Sequence, residues 1–202
     1  MKLLLATNNA HKAQEIREIL KDSFSEILTM RDAGIALEVE EDGTTFSENA
    51  LKKAEETLAY AGDRFDAVLA DDSGLCVDAL HGAPGVYSAR FSEAHNDAAN
   101  NRKLIELLKD IPDEKRTARF CCCIALARRG RTPIVVQGEV EGTILHESRG
   151  ENGFGYDPFF YYAPFQKSFA ELSADEKNAV SHRKRALTAL REALDAENRC
   201  HI

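Results

Sequence analysis

The sequence predicts an α/β protein built on a mixed sheet with a hairpin lobe. Three observations carry this prediction. Short apolar runs alternate with amphipathic helical stretches, two capping boxes mark helix starts, and the stretch after Thr117 turns β-rich around an Arg129-Gly130 turn. Taken in order, "KLLLA" (Lys2 to Ala6) reads as a buried strand. "AQEIREILKDSF" (Ala13 to Phe24) reads as a helix with apolar Ile16, Ile19 and Leu20 on one side. "SEILTM" suits a second strand. Thr45 and Glu48 form a capping box ahead of the helix "FSENALKKAEETLAYA". "AVLAD" is a strand ending in a Ser73-Gly74 turn, "DAANNRKLIELLKDI" a helix stopped by Pro112, and "TARFCCCIALA" with "TPIVVQGEVEGTIL" a β pair. "GENGFGYDPFFYY" is a glycine-hinged loop entering a strand. Ser173 and Glu176 open one long C-terminal helix through about Ala196.

The chain has 202 residues, 44% hydrophobic and 30% charged, enough to bury a substantial core. No stretch reaches the roughly eighteen apolar residues of a membrane span. The apolar run in "MKLLLATNN" is too short for a secretory signal, so a cytoplasmic location is expected. The formal net charge of −8 argues against a broad nucleic-acid surface, though local lysines and a divalent cation can still bind a small anion. The cysteines are Cys76, Cys121, Cys122, Cys123 and Cys200. Three in a row alternate faces on a strand and cannot form a C-x-x-C ligand set, which suits packed, reduced thiols.

Four stretches carry candidate chemistry. "TNNAHK" (Thr7, Asn8, Asn9, Ala10, His11, Lys12) lies between a strand and a helix start, where backbone N–H groups suit a phosphate. Lys12 adds a cation there, although a plain capped loop with a solvated lysine accounts for the same residues. No Walker or G-x-G-x-x-G pattern is present. Asp71 and Asp72, with acids from "EVEED" elsewhere, can supply oxygen ligands for Mg²⁺, which is held by one or two carboxylates plus substrate phosphates. A turn with an Asx hydrogen bond explains one of those aspartates and not both. In "GFGYDPFF", Gly153 and Gly155 free the backbone around Phe154, Phe154 or Tyr156 can contact a flat ring, and Asp157 can accept from a ring nitrogen. Lys177, His182 and Arg183 gather a point charge, an imidazole and a forked donor on the last helix, where a solvated basic face is the ordinary reading. Together these residues describe a metal-dependent nucleotide site.

The same stretches, "ATNNAHKAQEI", "TFSENALKKA", "ADDSGLCVDALHGAPGVYSARF", "GENGFGYDPFF" and "ELSADEKNAVSHRKRAL", resemble the successive signatures of the HAM1 family of inosine/xanthosine triphosphate pyrophosphatases, from end to end and in order. The resemblance implies a single domain over residues 1–202, elongated, with two lobes flanking a central substrate cleft, and a homodimer. It implies Mg²⁺-dependent hydrolysis of ITP, dITP and XTP to monophosphate and diphosphate, clearing deaminated purines from the nucleotide pool. By position, Thr7 to Lys12 resembles the triphosphate-binding loop, Asp72 the proton acceptor and metal ligand, and Glu40 the other ligand, with Glu41 one residue away. Ser73 and Lys53 are similar to substrate contacts. Phe154, Gly155, Tyr156 and Asp157 resemble the base-side loop, completed by Lys177, His182 and Arg183. In that scheme water attacks the α-phosphorus, Asp72 or Asp71 takes its proton, and Lys12, Lys53, Lys177 and Arg183 stabilise the departing diphosphate. A Maf-like pyrophosphatase of pyrimidine or modified nucleotides is the nearest rival. A silent purine-binding protein would not need the aspartate pair, and an aspartyl-nucleophile phosphatase would need a D-x-D pattern that "ADDSG" lacks.

Overall fold

A computed structural model describes residues 1–199, so Cys200 lies outside the described residues. Its strands are β1 (Lys2–Leu5), β2 (Glu26–Thr29), β3 (Ala67–Val77), β4 (Thr117–Arg128), β5 (Ile134–Ile144), β6 (Phe160–Tyr162) and β7 (Lys167–Ser168). Its helices are α1 (Ala10–Leu20), α2 (Phe46–Ala61), α3 (Asp97–Leu108), α4 (Ala174–Val180) and α5 (His182–Arg199). The strands form one mixed seven-stranded sheet in the order β2-β1-β3-β4-β5-β6-β7. β1 pairs in parallel with β2 and β3, whereas β5, β6 and β7 pair antiparallel. The chain divides into two compact units. One holds Met1–Asp72, Cys122–Gly138 and the chain from Arg183 onward; the other holds Ser73–Cys121 and Glu139–His182.

In the first unit the apolar run of β1 is buried on both faces, as a parallel strand covered by helices on each side requires. Strand alternation sorts its residues. Leu3, Leu5, Ala67, Leu69, Cys122 and Ile124 pack against Ala13, Ile16 and Leu20 of α1 and Ala186, Leu187 and Leu190 of α5. Leu4, Ala6, Val68, Ala70, Cys123 and Ala125 face the opposite side, against Ala50, Ala54 and Ala61 of α2. The consecutive cysteines thus belong to opposite faces. With 11 residues, α1 is marginal as an isolated helix, so its buried stripe supplies its stability, at about 1.5–3 kcal/mol for each large apolar side chain.

The second unit is built on an aromatic core. The Phe120 ring lies 4.6 Å from Phe160, which meets Phe169 edge-on at 4.8 Å, around buried Leu75, Val77, Leu104 and Tyr156. Arg116, 1% exposed, donates to the carbonyls of Leu108, Ile144 and Leu145 and so satisfies the C-terminal end of α3 from within the core. The segment before the glycine-rich loop is pinned as well: Ser168 Oγ donates to the Arg149 carbonyl at 2.7 Å, and the Asn152 N–H to Ala170 at 3.0 Å.

Three elements differ from the sequence expectation. α1 begins at Ala10 rather than Ala13, because the Asn9 side chain accepts from the His11 and Lys12 N–H groups and starts the helix early. β3 does not end at the aspartates; it runs on through Ser73 and Gly74 to Val77, so no tight turn forms there. The two aspartates face opposite sides and find separate partners, which lets the ladder continue. The C-terminal helix is interrupted at Ser181, whose backbone is extended at φ −63°, ψ 155°. The break falls where Val180 packs in the second unit's core and Leu187 in the first unit's. Both capping boxes, Thr45 with Glu48 and Ser173 with Glu176, form as expected.

Gly150 has φ +81°, and a Cβ there would lie 2.3 Å from the Ala170 carbonyl. Gly150→Ala is therefore expected to lower unfolding free energy by about 2–4 kcal/mol. Urea denaturation of the two proteins checks it, and an unchanged midpoint would contradict it.

Candidate functional site

The first unit gives the adjacent aspartates opposite characters. Asp71 points to the α1/α5 side, and its carboxylate is fully buried. It accepts from Lys12 Nζ at 2.6 Å, Arg183 Nε at 2.8 Å and Cys122 Sγ at 3.1 Å. Arg183, 1% exposed, also pairs with Glu15 of α1. Burial alone would push the Asp71 carboxyl up, but Arg183 and Lys12 override it and hold it well below the usual carboxylate range. Asp71 is therefore a permanent anion with its lone pairs committed.

Asp72 points to the α2 side, where Asn49 Nδ2 donates to its Oδ2 at 3.0 Å. Here desolvation prevails and raises the carboxyl, with Lys12 and Lys53 pulling it down and Glu41 pushing it up. A carboxylate poised in this way, with one oxygen held and the other uncommitted to Asn49, has the character of a general base.

Around this pair, Thr7, Asn8, Asn9, Ala10, His11 and Lys12 form the connection from β1 to α1. Asn8 through His11 are exposed, and no acidic residue occupies the first turn of α1. Thr7 Oγ1 accepts from the Asn9 N–H at 3.1 Å, fixing the turn. Lys12 is held by Asp71 rather than solvated. Lys53 of α2 pairs with Glu41, whereas Glu40 is exposed. The charge of Glu41 reaches Asp72.

The second unit assembles the glycine-hinged loop. Asp157 is buried and accepts from Lys177 Nζ at 2.7 Å and from the Phe154 N–H at 2.9 Å. Gly153 is required beside it: a Cβ would lie 2.1 Å from Asp157 Oδ2, and its φ is +77°. Lys177 Nζ lies over the half-buried Phe154 ring, 4.7 Å from its centroid. His182 is buried and stacks on Phe120 at 5.0 Å and 17°.

Several sequence expectations change in detail. Tyr156 is a core residue whose hydroxyl donates to the Ser88 carbonyl at 2.8 Å, so of the two rings flanking Gly155 it is Phe154 that keeps accessible surface. Asp157 accepts from the loop's Phe154 N–H and from Lys177. Arg183 is a core ion-pair partner rather than a member of a solvated basic face. Ser73 is half-buried within β3. Asn49 and Glu15 were not singled out from the sequence, and Cys122 was read there only as a packed thiol. Asn49 lies within a recognisable helix, but nothing local signals that it meets a residue 23 positions away.

The oxygen donors suit Mg²⁺: Asp72 offers a carboxylate oxygen beside Glu41, with neither thiol nor imidazole in the set. Among the described residues no group of three or more His, Cys, Asp or Glu side chains could hold a metal ion. This fits an ion completed by water and phosphate oxygens better than a cage of protein ligands. Among the described residues, too, no helix is long and apolar enough to cross a membrane.

Residues 3–193 match the model of the Ham1 family. The dITP/XTP pyrophosphatase of Clostridium perfringens is 51% identical over 197 residues, covering 96% of this chain and 97% of its own. That of Desulforamulus reducens is 48% identical over 203 residues, covering 100% and 98%. Among solved structures, the Staphylococcus aureus Ham1 protein aligns with a TM-score of 0.86 at 37% identity, over 98% of this chain and 100% of that one. A HAM1 protein from Coxiella burnetii aligns with a TM-score of 0.84 at 40% identity, over 97% and 99%.

The contrast between the aspartates is measurable. Asp71→Asn, which takes the shared anion from buried Arg183 and half-buried Lys12, is expected to cost about 3–5 kcal/mol of unfolding free energy. Asp72→Asn, which removes a desolvated charge, is expected to cost less than about 1 kcal/mol. Urea unfolding of both variants checks the pair, and equal losses would refute the distinction.

Proposed function

The chain belongs to the Ham1 family, and on that premise we propose that it hydrolyses dITP, ITP and XTP to the monophosphate and diphosphate with the help of Mg²⁺. The observation that carries this reading is the division of labour between Asp71, a committed anion, and Asp72, a raised carboxyl with an oxygen to spare. A binding protein has no use for such a poised base. Water attack on the α-phosphorus needs one.

In this reading the exposed N–H groups of residues 8–10 and the start of α1 take the triphosphate, with Lys12 held at the loop by Asp71. Asp72 accepts the proton of the attacking water. Asp72 and Glu41 hold Mg²⁺, which when bound neutralises charge on the phosphate oxygens. Lys53, drawn toward Glu41, adds positive charge against the departing diphosphate. On the base side, Phe154 offers a stacking face, and Lys177, fixed by Asp157, offers a donor. Hypoxanthine and xanthine present a 6-oxo acceptor and an N1–H donor, whereas adenine presents the reverse. A site with fixed partners would leave buried groups unpaired with ATP, a mismatch that can reject a substrate by about 10⁴-fold. A homodimer and a cytoplasmic location, alongside the nucleotide pool such an enzyme would cleanse, complete the proposal.

Anion-exchange analysis of separate incubations with dITP, dGTP, dATP and dTTP, with and without Mg²⁺, tests it. Release of dIMP and diphosphate from dITP is expected only with Mg²⁺, and dGMP or dAMP should form slowly if at all from dGTP and dATP. Preference for dTTP would overturn the purine assignment. Asp72→Asn is expected to lower kcat by about 10²–10⁴-fold. Glu41→Gln should raise the Mg²⁺ concentration needed for half-maximal rate, and Glu40→Gln should leave it in place. The opposite pattern would return the ligand role to Glu40.

A further inference from the structure

In the second unit one helix face grips both polar groups of a single loop residue. Asp97 opens α3, and Asn101 follows one turn later on the same face. Asp97 Oδ2 accepts the Gly155 N–H at 2.7 Å, while Asn101 Nδ2 donates to the Gly155 carbonyl at 2.9 Å. Gly155 separates Phe154, the half-buried aromatic, from Tyr156, the buried one, and its φ is +62°. The neighbouring Asn100 extends the grip: its Nδ2 donates to the Ser88 and Ala89 carbonyls, and Ser88 also receives the Tyr156 hydroxyl.

Holding Gly155 is costly. Asn101 Oδ1 is buried with no hydrogen-bond partner among the described residues, so its desolvation is uncompensated. Two glycines flanking Phe154 make the loop intrinsically loose, so something outside it must set the Phe154 ring.

We propose that Asp97 and Asn101 are positioning residues for purine recognition, fixing the Gly155 peptide so that Phe154 and Lys177 meet the base in one geometry. The proposal rests on the reading that this loop takes the base. The bland alternative is that Asp97 merely stabilises the N-terminus of α3 through its charge. Asp97→Asn separates the two, since it keeps an acceptor oxygen for Gly155 and removes the charge.

The experiment compares the full chain with Asp97→Ala, Asp97→Asn and Asn101→Ala. It measures amide hydrogen exchange over residues 151–160 and kcat/KM for dITP and dGTP. For Asp97→Ala and Asn101→Ala, Gly155 exchange should quicken at least about tenfold. The dITP-to-dGTP ratio should fall about ten- to a hundredfold, mostly through a higher KM for dITP. Asp97→Asn should resemble the parent in both readouts. Unchanged exchange, or quick exchange with an unchanged ratio, overturns the proposal, as does an Asp97→Asn variant that behaves like Asp97→Ala. Failure of the underlying functional reading looks different. The parent itself would then show no preference for dITP while Asp97→Ala still loosened Gly155, which would overturn the purine role and leave only a loop clamp.

Discussion

The fully buried carboxylate of Asp71 is the constraint on which the first unit depends. An isolated carboxylate in such a place costs several kcal/mol, and no native core tolerates it unpaired. Lys12 and Arg183 offset that cost at 2.6 and 2.8 Å, and each comes from a different element, α1 and α5. Glu15 closes the set by pairing with Arg183 from α1. One charge therefore ties β3 to the two helices that cover its face. A leucine at position 71 would take from buried Arg183 one of its two carboxylate partners and leave Lys12 with nothing to hold it at the start of α1.

Strand geometry turns this structural device into a chemical one. Successive side chains on β3 point to opposite faces, so the residue after the anchored aspartate must face α2. There it meets Asn49 and the field of Lys53 and Glu41, with burial as the dominant influence. Two carboxylates adjacent in sequence thus escape mutual repulsion and acquire opposite titration behaviour, one held low and one raised. The first is useful because it never changes charge, the second because it can.

The second unit repeats the logic with different parts. Asp157 is buried and holds Lys177 at 2.7 Å, much as Asp71 holds Lys12. In both cases the lysine's long side chain would otherwise sample many rotamers, and a buried anion selects one. The aromatic core of Phe120, Phe160 and Phe169 gives the loop a rigid floor, while α3 grips Gly155. Rigidity in this unit comes from hydrogen bonds to single peptides, because a glycine-hinged loop has few side chains of its own to pack.

Much was legible in the sequence because it is encoded over short separations. The apolar run of β1, the capping boxes at Thr45 and Ser173, the Asn-rich start of α1 and the glycine spacing around Phe154 are local patterns, and the structure reproduces each. The ordered motifs were enough to indicate the family. Local patterns could not say which aspartate is committed, that Arg183 is buried, that the charge of Glu41 reaches Asp72, or that Tyr156 belongs to the core. Each of these depends on partners distant in the chain; Arg183 and Asp71 are 112 residues apart. The sequence by itself determined the chemical inventory and the elements that carry it. Only the tertiary structure decided the protonation character and partner of each group, because burial and Coulomb interactions depend on distance in space, which no spacing along the chain records.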